Sequence, residues 1–599
     1  MLLFAFDTET ELIVPGVLAP KLVCLSWAVG DNQGVMYGGG VVHHSNLEGF
    51  DELLSTIENS GATIIGHNTS YDFGVLAAAF PQSLQRIFAL YESGRVTDTK
   101  IREQLTRIAE GSAPQGKLTL KDLAEKYLDV TLDKVDTWRM RYGELLHVPL
   151  CDWPVDAIEY SRLDAETTLR VYQAQQSHAD EYRQARNDFA LHLISCRGII
   201  TDPENVAALR AEILAEKAEA EAALREAGIL VTVGKSKPKS KISNKRVQEL
   251  VSLALGAYAP TTDKGAIQIG AEVLKDIDHP ALAALVRYKA AEKLESTWLE
   301  HLSKPIVQAR YNVLVATGRT SCSSPNMQNP HRREGLRECF APREGFVFAA
   351  IDYSTLELCT LAQACLVKLG KSRMADAINA GKDLHLDLAA QIKGISYEAA
   401  QALLLAGDKE IKEARQIAKC GNFGLPGGMS ASTFSKFAKG YGLDLTPQFC
   451  DQLKGHWLTA WPEMRDYFKL VDHEGGEVHQ IYSERMRGVT PFCAACNSYF
   501  QGRAADGAKN AVFDVVRACY VGSLQGAFPV AFIHDEILAE VPEDKAGWYA
   551  DEMARIMRET MRGWCPDVEI KTDTALMLRW SKGAESIRDE KNNLQIWGI

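Results

Sequence analysis

Short apolar runs bounded by polar residues open the chain and recur through its first 180 or so positions. Leu2-Leu-Phe-Ala-Phe6, Leu22-Val-Cys-Leu-Ser-Trp27 and Ala62-Thr-Ile-Ile65 predict strands, and Asp152 to Gln176 predicts a helix. Alternation of this kind predicts an α/β unit. From about 180 to 310 the pattern is helical and charged. Ala207 to Ala227, rich in Ala, Glu, Leu and Lys, predicts one long helix, and Leu282 to Leu302 a second. Residues 311–365 return to strand-like segments, 366–480 are mainly helical, and 480–599 mix helices with a hairpin around Asp535.

Two apolar stretches end in acid. Phe346-Val-Phe-Ala-Ala-Ile351 meets Asp352, and Ala531-Phe-Ile breaks for His534-Asp535-Glu536 before turning apolar again. Burying carboxylates is expensive unless something cationic neutralises them. Two such aspartates converging on a metal pair would serve phosphoryl transfer. Near the N-terminus, Asp7 and Glu9 stand two apart at the end of a strand, so they share a face. Asp72 follows the strand Thr63-Ile-Ile65 within Gly66-His-Asn-Thr-Ser-Tyr-Asp72, and Tyr160 and Asp164 are four apart on a helix. A surface acid cluster in an unrelated α/β domain is the plainer reading of any one of these.

Composition narrows the classes. The 599 residues are 46% hydrophobic, enough for several domains, and no run of eighteen apolar residues exists to span a membrane. The start, Met1-Leu-Leu-Phe-Ala-Phe-Asp7, lacks the basic leader of a secretory signal. Thirteen cysteines form no regular framework, which fits reduced thiols in a cytoplasm; Cys493-Ala-Ala-Cys496 lacks the second pair a zinc site needs. A net charge of −12 argues against a uniformly basic coat but not against local basic patches. One such patch is the run Lys235, Lys237, Lys239, Lys241, Lys245 and Arg246, whose plainer reading is a solvated loop.

The N-terminal set, in this order and context, resembles the DEDDy 3′–5′ proofreading exonucleases. The resemblance implies that Asp7, Glu9, Asp72 and Asp164 hold two divalent metals and that Tyr160 orients the attacking water. Four further blocks follow: Thr317-Gly-Arg319-Thr-Ser with Pro325-Asn-Met-Gln328-Asn; Asp352-Tyr353-Ser-Thr-Leu-Glu357-Leu; Arg415-Gln-Ile-Ala-Lys419-Cys-Gly-Asn-Phe423-Gly; and Gln501-Gly … Asp506 with His534-Asp535-Glu536. These resemble family A DNA polymerases of the bacterial DNA polymerase I type over roughly residues 190–590, with no 5′-nuclease domain expected ahead of them.

That resemblance implies an α/β and α+β multidomain chain, an RNase H-like exonuclease domain followed by a right hand. The expected bounds are 1–180 exonuclease, 181–310 thumb, 311–365 first part of the palm, 366–480 fingers and 481–599 second part of the palm. Asp352 and Asp535 would hold two Mg²⁺, with Mn²⁺ able to substitute. Arg415, Lys419 and Phe423 form one helical stripe; the cations suit a triphosphate, and Phe423 would pack on the incoming nucleotide. His385 and Tyr353 complete the nucleotide side, and Glu357 would exclude a ribose 2′-hydroxyl. Arg319, Gln328, Asn497, Gln501 and His534 match positions that hold the primer terminus and minor groove, and the lysine run would grip DNA from the thumb.

Two departures stand out. Gly427 occupies the position where the family usually places a tyrosine, and with Pro426 and Gly428 it predicts a helix end near Leu425 and a mobile hinge. Phe492-Cys493 stands where an acidic–basic pair commonly precedes Asn497. These, with the compact build, suggest a phage or prophage enzyme of the host cytoplasm. The expectation is a monomeric replicative or repair polymerase acting on primer-template DNA and dNTPs, with replisome proteins as further partners. A nuclease whose second half only binds DNA, and a non-catalytic replisome scaffold, are the rivals.

Overall fold

The computed structural model describes residues 1–598 apart from 15, 16, 18, 133–137, 234–238, 263 and 264. Lys235 and Lys237 therefore lie outside the described residues.

The first half of the architecture follows from strand parity. Strands β1 (Leu2–Thr10), β2 (Leu22–Asp31), β3 (Met36–His43), β4 (Thr63–Gly66) and β5 (Val96–Asp98) form one mixed sheet in the order β3-β2-β1-β4-β5. β1 pairs antiparallel with β2 and parallel with β4, as expected of an RNase H-like unit. β1 carries apolar side chains on both faces, so both must be covered. Leu3 and Ala5 pack with Ala165, Leu169 and Tyr172 of the helix Val155–Ala174. Phe4 and Phe6 pack with Ile64 and Phe73, the latter from the helix Thr69–Ala79. The expected helix 152–176 is shorter by three residues at its start, where Leu150–Asp152 make a separate 3-10 turn.

The two long helices of the middle region are Pro203–Glu226 and Pro280–Leu294, the second continued by a π-turn at Glu295–Leu299 and by Glu300–Leu302. The lysine run between them is not a plain loop. Lys239 and Lys241 lie on the strand Lys239–Ile242, paired with Leu230–Val233, and Lys245 and Arg246 occupy the first turn of the helix Asn244–Leu255. Apolar residues on either side of the run explain the change: Leu230 and, at helical spacing, Val247, Leu250 and Val251 share a core with Leu224 and Leu285.

The C-terminal half is built on a six-stranded sheet. Its order is Phe528–Ile533, Glu536–Pro542, Phe346–Tyr353, Thr572–Met577, Leu594–Trp597, Ile587–Arg588. Residues 311–365 are not strand-like throughout, because Leu356 opens a helix that runs to Leu369. Its apolar residues Leu358, Leu361, Ala362 and Cys365 recur at helical spacing, and all are buried. The helices Leu384–Lys393, Lys409–Gly424, Ala431–Lys439 and Pro447–Ala460 make the region between the strands.

The two halves are joined by buried charge. Arg485 Nη1 donates to Asp180 Oδ2 at 2.8 Å and to Asp506 Oδ1 at 2.6 Å. Lys509 Nζ donates to Gln184 Oε1 at 2.6 Å and to the Val313 carbonyl at 3.1 Å. Asp506 sits on the 30-residue helix Phe492–Val521, and Asp180 precedes the helix Glu181–Arg197. Burial alone would push the Asp506 carboxyl up, but Arg183, Arg485 and Lys509 together hold it well below the usual carboxylate range. Removing it would leave Asp180 as the one carboxylate paired with both Arg183 and Arg485, and Lys509 buried against neutral groups. Asp506→Ala is expected to cost about 3–5 kcal/mol of stability, read as a lower urea midpoint; a loss under about 1 kcal/mol would show that solvent or relaxation replaces the carboxylate.

Candidate functional sites

The same parity that covers β1 also builds the first site. Odd-numbered side chains of β1 face the helix Val155–Ala174, and Asp7 and Glu9 continue that face past the end of the apolar contact. Asp164 comes from that helix. Carboxylate oxygens of Asp7, Glu9 and Asp164 all lie within 4.8 Å of one another. Tyr160, one helical turn before Asp164, is half-buried; burial, then the charges of Asp164 and Glu9, push its phenol above the ordinary value, so it stays protonated at neutral pH.

Asp72 does not join the three. It lies on the helix Thr69–Ala79, which covers the even-numbered face, and there it meets Thr8. Thr8 donates to Asp72 Oδ1 from its backbone N–H at 3.1 Å and from its hydroxyl at 2.6 Å. Burial pushes Asp72 up to about 7 against those two hydrogen bonds. Of the four expected acids, three therefore share one cluster and Asp72 is held through Thr8, the residue between Asp7 and Glu9. Thr8 is a residue the motif did not single out; its signal was its even position between the two acids.

The second site forms at the ends of adjacent strands. Asp352 ends Phe346–Tyr353, and Asp535 sits in the turn between Phe528–Ile533 and Glu536–Pro542. His534 makes that turn tight by adopting a left-handed φ of 62°. Asp573, absent from the sequence reading, stands directly opposite Asp352 across the strand pair and accepts a hydrogen bond from Ser354 Oγ at 2.7 Å. Asp352 is open to solvent at the cleft wall, yet desolvation by the surrounding protein pushes it up to about 7, reinforced by the charges of Asp535 and Asp573. The same desolvation pushes Asp535 up to about 6 against the pull of Arg319. Glu536 rises to about 7 through burial and the charge of Asp352. These donors are all carboxylate oxygens, the set a hard divalent cation prefers, and their raised affinity for protons marks a deficit of local positive charge.

Asp352, Asp535, His534 and Asp573 form the wall common to two cavities. One, of about 530 Å³, is bordered by Glu357, His385, Arg415, Lys419 and Phe423. The other, of about 460 Å³, is bordered by Gln328, Arg332, Arg337, Glu536, Trp580 and Lys582. Arg415, Lys419 and Phe423, four apart on the helix Lys409–Gly424, all line the first cavity. Arg415 Nε donates to Asp383 Oδ2 at 2.7 Å. Burial pushes His385 down to about 4, with Asp383 opposing and Arg415 and Lys419 assisting, so the ring is neutral near pH 7.

Other expected residues are placed differently. The Tyr353 ring is buried and its hydroxyl donates to the Met557 carbonyl at 2.7 Å, so its polar end turns away from the cavity. Arg319 and Glu357, expected to touch different partners, form an ion pair with each other. Gln328 is buried and donates to Thr320 Oγ1 at 2.6 Å. Gln501 lies half-buried on the helix Phe492–Val521. Arg246 is tied to the Ala227 carbonyl at 3.1 Å and to Glu249 at 3.1 Å.

The helix does stop at Gly424 and passes into one 3-10 turn, Leu425–Gly427. Gly427, which ends that turn, and Gly428 after it allow close packing there. A Cβ at Gly427 would lie 2.8 Å from Asn497 Nδ2, and one at Gly428, where φ is +72°, would lie 2.6 Å from the Phe492 ring. Asn497 therefore stands where a side chain at position 427 would begin.

Comparison with known proteins agrees with this geometry. Residues 2–178 match the family model described as 3′-5′ exonuclease, and residues 210–582 the one described as DNA polymerase family A. DNA polymerase I of Aquifex aeolicus is 30% identical over 357 residues, 57% of this chain and 58% of that protein. DNA polymerase I of Chloroflexus aurantiacus is 27% identical over 607 residues, 93% of this chain and 59% of that protein. The chain spans about three-fifths of the length of these relatives. The solved structure described as the POL domain of Pol1 from M. smegmatis in complex with DNA primer-template and dNTP superposes with a TM-score of 0.66, covering 96% of each chain at 21% identity, which establishes a shared fold. With its family model spanning residues 210–582 of 599, the chain belongs to DNA polymerase family A and carries a 3′–5′ exonuclease unit before it.

Proposed function

We propose that this protein is a template-directed DNA polymerase that extends a primer 3′ end with dNTPs and proofreads it with its own 3′–5′ exonuclease. The carrying observation is the carboxylate wall between two cavities, one lined by phosphate-binding cations and an aromatic ring, the other by Arg332, Arg337 and Lys582. A dNTP in the first and a primer terminus in the second would meet at Asp352 and Asp535. The thumb would be residues 181–310, the fingers 366–480, and the palm 311–365 with 481–599. The protein would act in the cytoplasm as a monomer, with replisome proteins as partners during replication or repair; no described helix is long and apolar enough to cross a membrane.

The chain's own residues divide the work. Lys419 and Arg415 bind the β- and γ-phosphates, Arg415 exchanging Asp383 for phosphate oxygen. Phe423 packs on the nucleotide's sugar or base. Glu357, held by Arg319, leaves no room for a 2′-hydroxyl. Asp352 and Asp535 would hold two Mg²⁺ or Mn²⁺, which when bound lower the pKa of the primer 3′-hydroxyl and stabilise charge on the transferred phosphate. Fingers closure would exclude water and commit the correct pair. In the exonuclease unit Asp7, Glu9 and Asp164, with Asp72 beside them, would hold the second ion pair, while Tyr160, protonated, keeps the attacking water aligned. The lysines of the hairpin Lys239–Ile242 and of the helix after it would contact backbone phosphate without reading bases.

A primed template with dNTPs and Mg²⁺ separates the two activities. Asp535→Ala is expected to lose about a thousandfold or more in extension while digesting the 3′ end normally, and Asp7→Ala to do the reverse. Extension by Asp535→Ala at the wild-type rate would remove the polymerase assignment.

Because Asp352 and Asp535 bind protons at about 7 and 6, protons compete with the metal as pH falls through that window. The metal concentration for half-maximal extension is expected to rise about tenfold per pH unit per displaced proton below neutrality and to level off above pH 8. Metal titrations across that range measure it, and a flat profile contradicts it.

Gly427→Tyr must displace Asn497. We expect correct extension to fall by about tenfold, from overpacking of about 1–3 kcal/mol, and misinsertion ratios to change; Asn497→Ala in the same chain should restore part of the extension.

A further inference from the structure

Asn422 lies on the helix Lys409–Gly424 just before Phe423 and is fully buried. Its side-chain carbonyl accepts from two indoles, Trp457 Nε1 at 3.1 Å and Trp461 Nε1 at 3.1 Å. Its amide nitrogen donates to the Leu384 carbonyl at 3.1 Å and lies 3.1 Å from His385 Nδ1. An indole N–H can only donate, and a peptide carbonyl can only accept. The amide therefore cannot be turned over, since the reversed group would set its NH₂ against two N–H donors and its oxygen against a carbonyl.

That orientation determines the histidine's. The group facing His385 Nδ1 is an NH₂, which can only donate. Nδ1 must then be the bare, accepting nitrogen, and the ring's single proton sits on Nε2. The ring is buried, 5.6 Å from the Phe423 ring centroid, and borders the cavity that also holds Arg415 and Lys419. The charged groups around it are Asp383, at the start of its own helix, and Arg415 and Lys419, on the neighbouring one. Asp383 binds the His385 backbone N–H and Arg415.

We propose that Asn422 is a positioning residue for nucleotide binding. It holds His385 as the neutral tautomer that presents an N–H donor, rather than a lone pair, to a phosphate oxygen. Through the two indoles it also joins three helices, Leu384–Lys393, Lys409–Gly424 and Pro447–Ala460, into one unit. Asn422 itself does not border the cavity. The inference rests on reading that cavity as the dNTP site.

The test uses the full chain labelled with ¹⁵N-histidine. Two-bond proton–nitrogen correlation spectra report which ring nitrogen carries the proton, and His385→Gln identifies the signal by its loss. We expect a pyridine-type Nδ1 and a pyrrole-type Nε2 near neutral pH. A pyrrole-type Nδ1 overturns the proposal and needs no variant to fold. In Asn422→Asp the amide is replaced by an acceptor, so the proton should move to Nδ1. KM for dNTP should rise about tenfold or more, kcat should stay within about threefold, and single-strand 3′ digestion should be unchanged. A moved proton with unaltered KM also overturns the proposal. If Asn422→Asp loses digestion as well, and so has not folded, the double variant Trp457→Phe, Trp461→Phe replaces it. That change frees the amide to turn over, and both tautomers should then appear; a single unchanged tautomer refutes the lock. Failure of the wild-type protein to bind dNTP at all would instead sink the dNTP reading of the cavity, while the tautomer spectrum still judges the lock.

Discussion

Supply of positive charge to buried carboxylates is the constraint on which the structure turns. Asp506 receives Arg183, Arg485 and Lys509, and its carboxyl is held below the usual range. Glu540, fully buried in the strand Glu536–Pro542, receives Arg343 at 2.8 Å and Arg197 at 2.9 Å. Asp352 and Asp535, at the wall of a cleft, are less enclosed; Asp535 gets only the pull of Arg319, Asp352 faces the charges of Asp535 and Asp573, and both are pushed up. The same residue type therefore does opposite things in one fold. Matched carboxylates bind the halves together; unmatched ones keep an appetite for cations that a metal can satisfy.

Both candidate sites use the geometric device of a strand that continues past its apolar cover. In β1 the odd-numbered face runs from Leu3 and Ala5 to Asp7 and Glu9, and the helix that buries the apolar pair also brings Asp164. In the strand Phe346–Tyr353 the apolar run ends at Asp352, beside the turn that carries Asp535. A strand end is a rigid place for a charge, because the backbone behind it is pinned by its ladder and its core. The residues beside the cavity of Arg415 and Lys419 are tied together as well, with His385, Asn422 and the indoles of Trp457 and Trp461 in one hydrogen-bonded block.

Much of this was legible from local patterns. The strands at Leu2, Leu22 and Thr63, the long helices, the hairpin at Asp535 and the helix stop before Pro426 all follow from periodicity and from proline chemistry. The lysine run misled because charge alone says solvated loop, whereas the apolar residues that set its hairpin and helix, Leu230 and Val247, flank it on either side. The helix from Leu356 was hidden behind the strand that precedes it, since a buried apolar run can be either element.

The sequence by itself determined where the candidate residues lie: two sets of acids, a cationic stripe ending in Phe423 and a glycine where a tyrosine is usual. It could do so because each signal is local, a residue type at a strand end or at a helical spacing. Only the tertiary structure decided which groups meet. It tied Asp72 to Thr8, paired Arg319 with Glu357, turned the Tyr353 hydroxyl into the core and brought Asp573 opposite Asp352. Those outcomes depend on which face of one element is pressed against another, and that is settled by packing between segments hundreds of residues apart rather than by any neighbour along the chain.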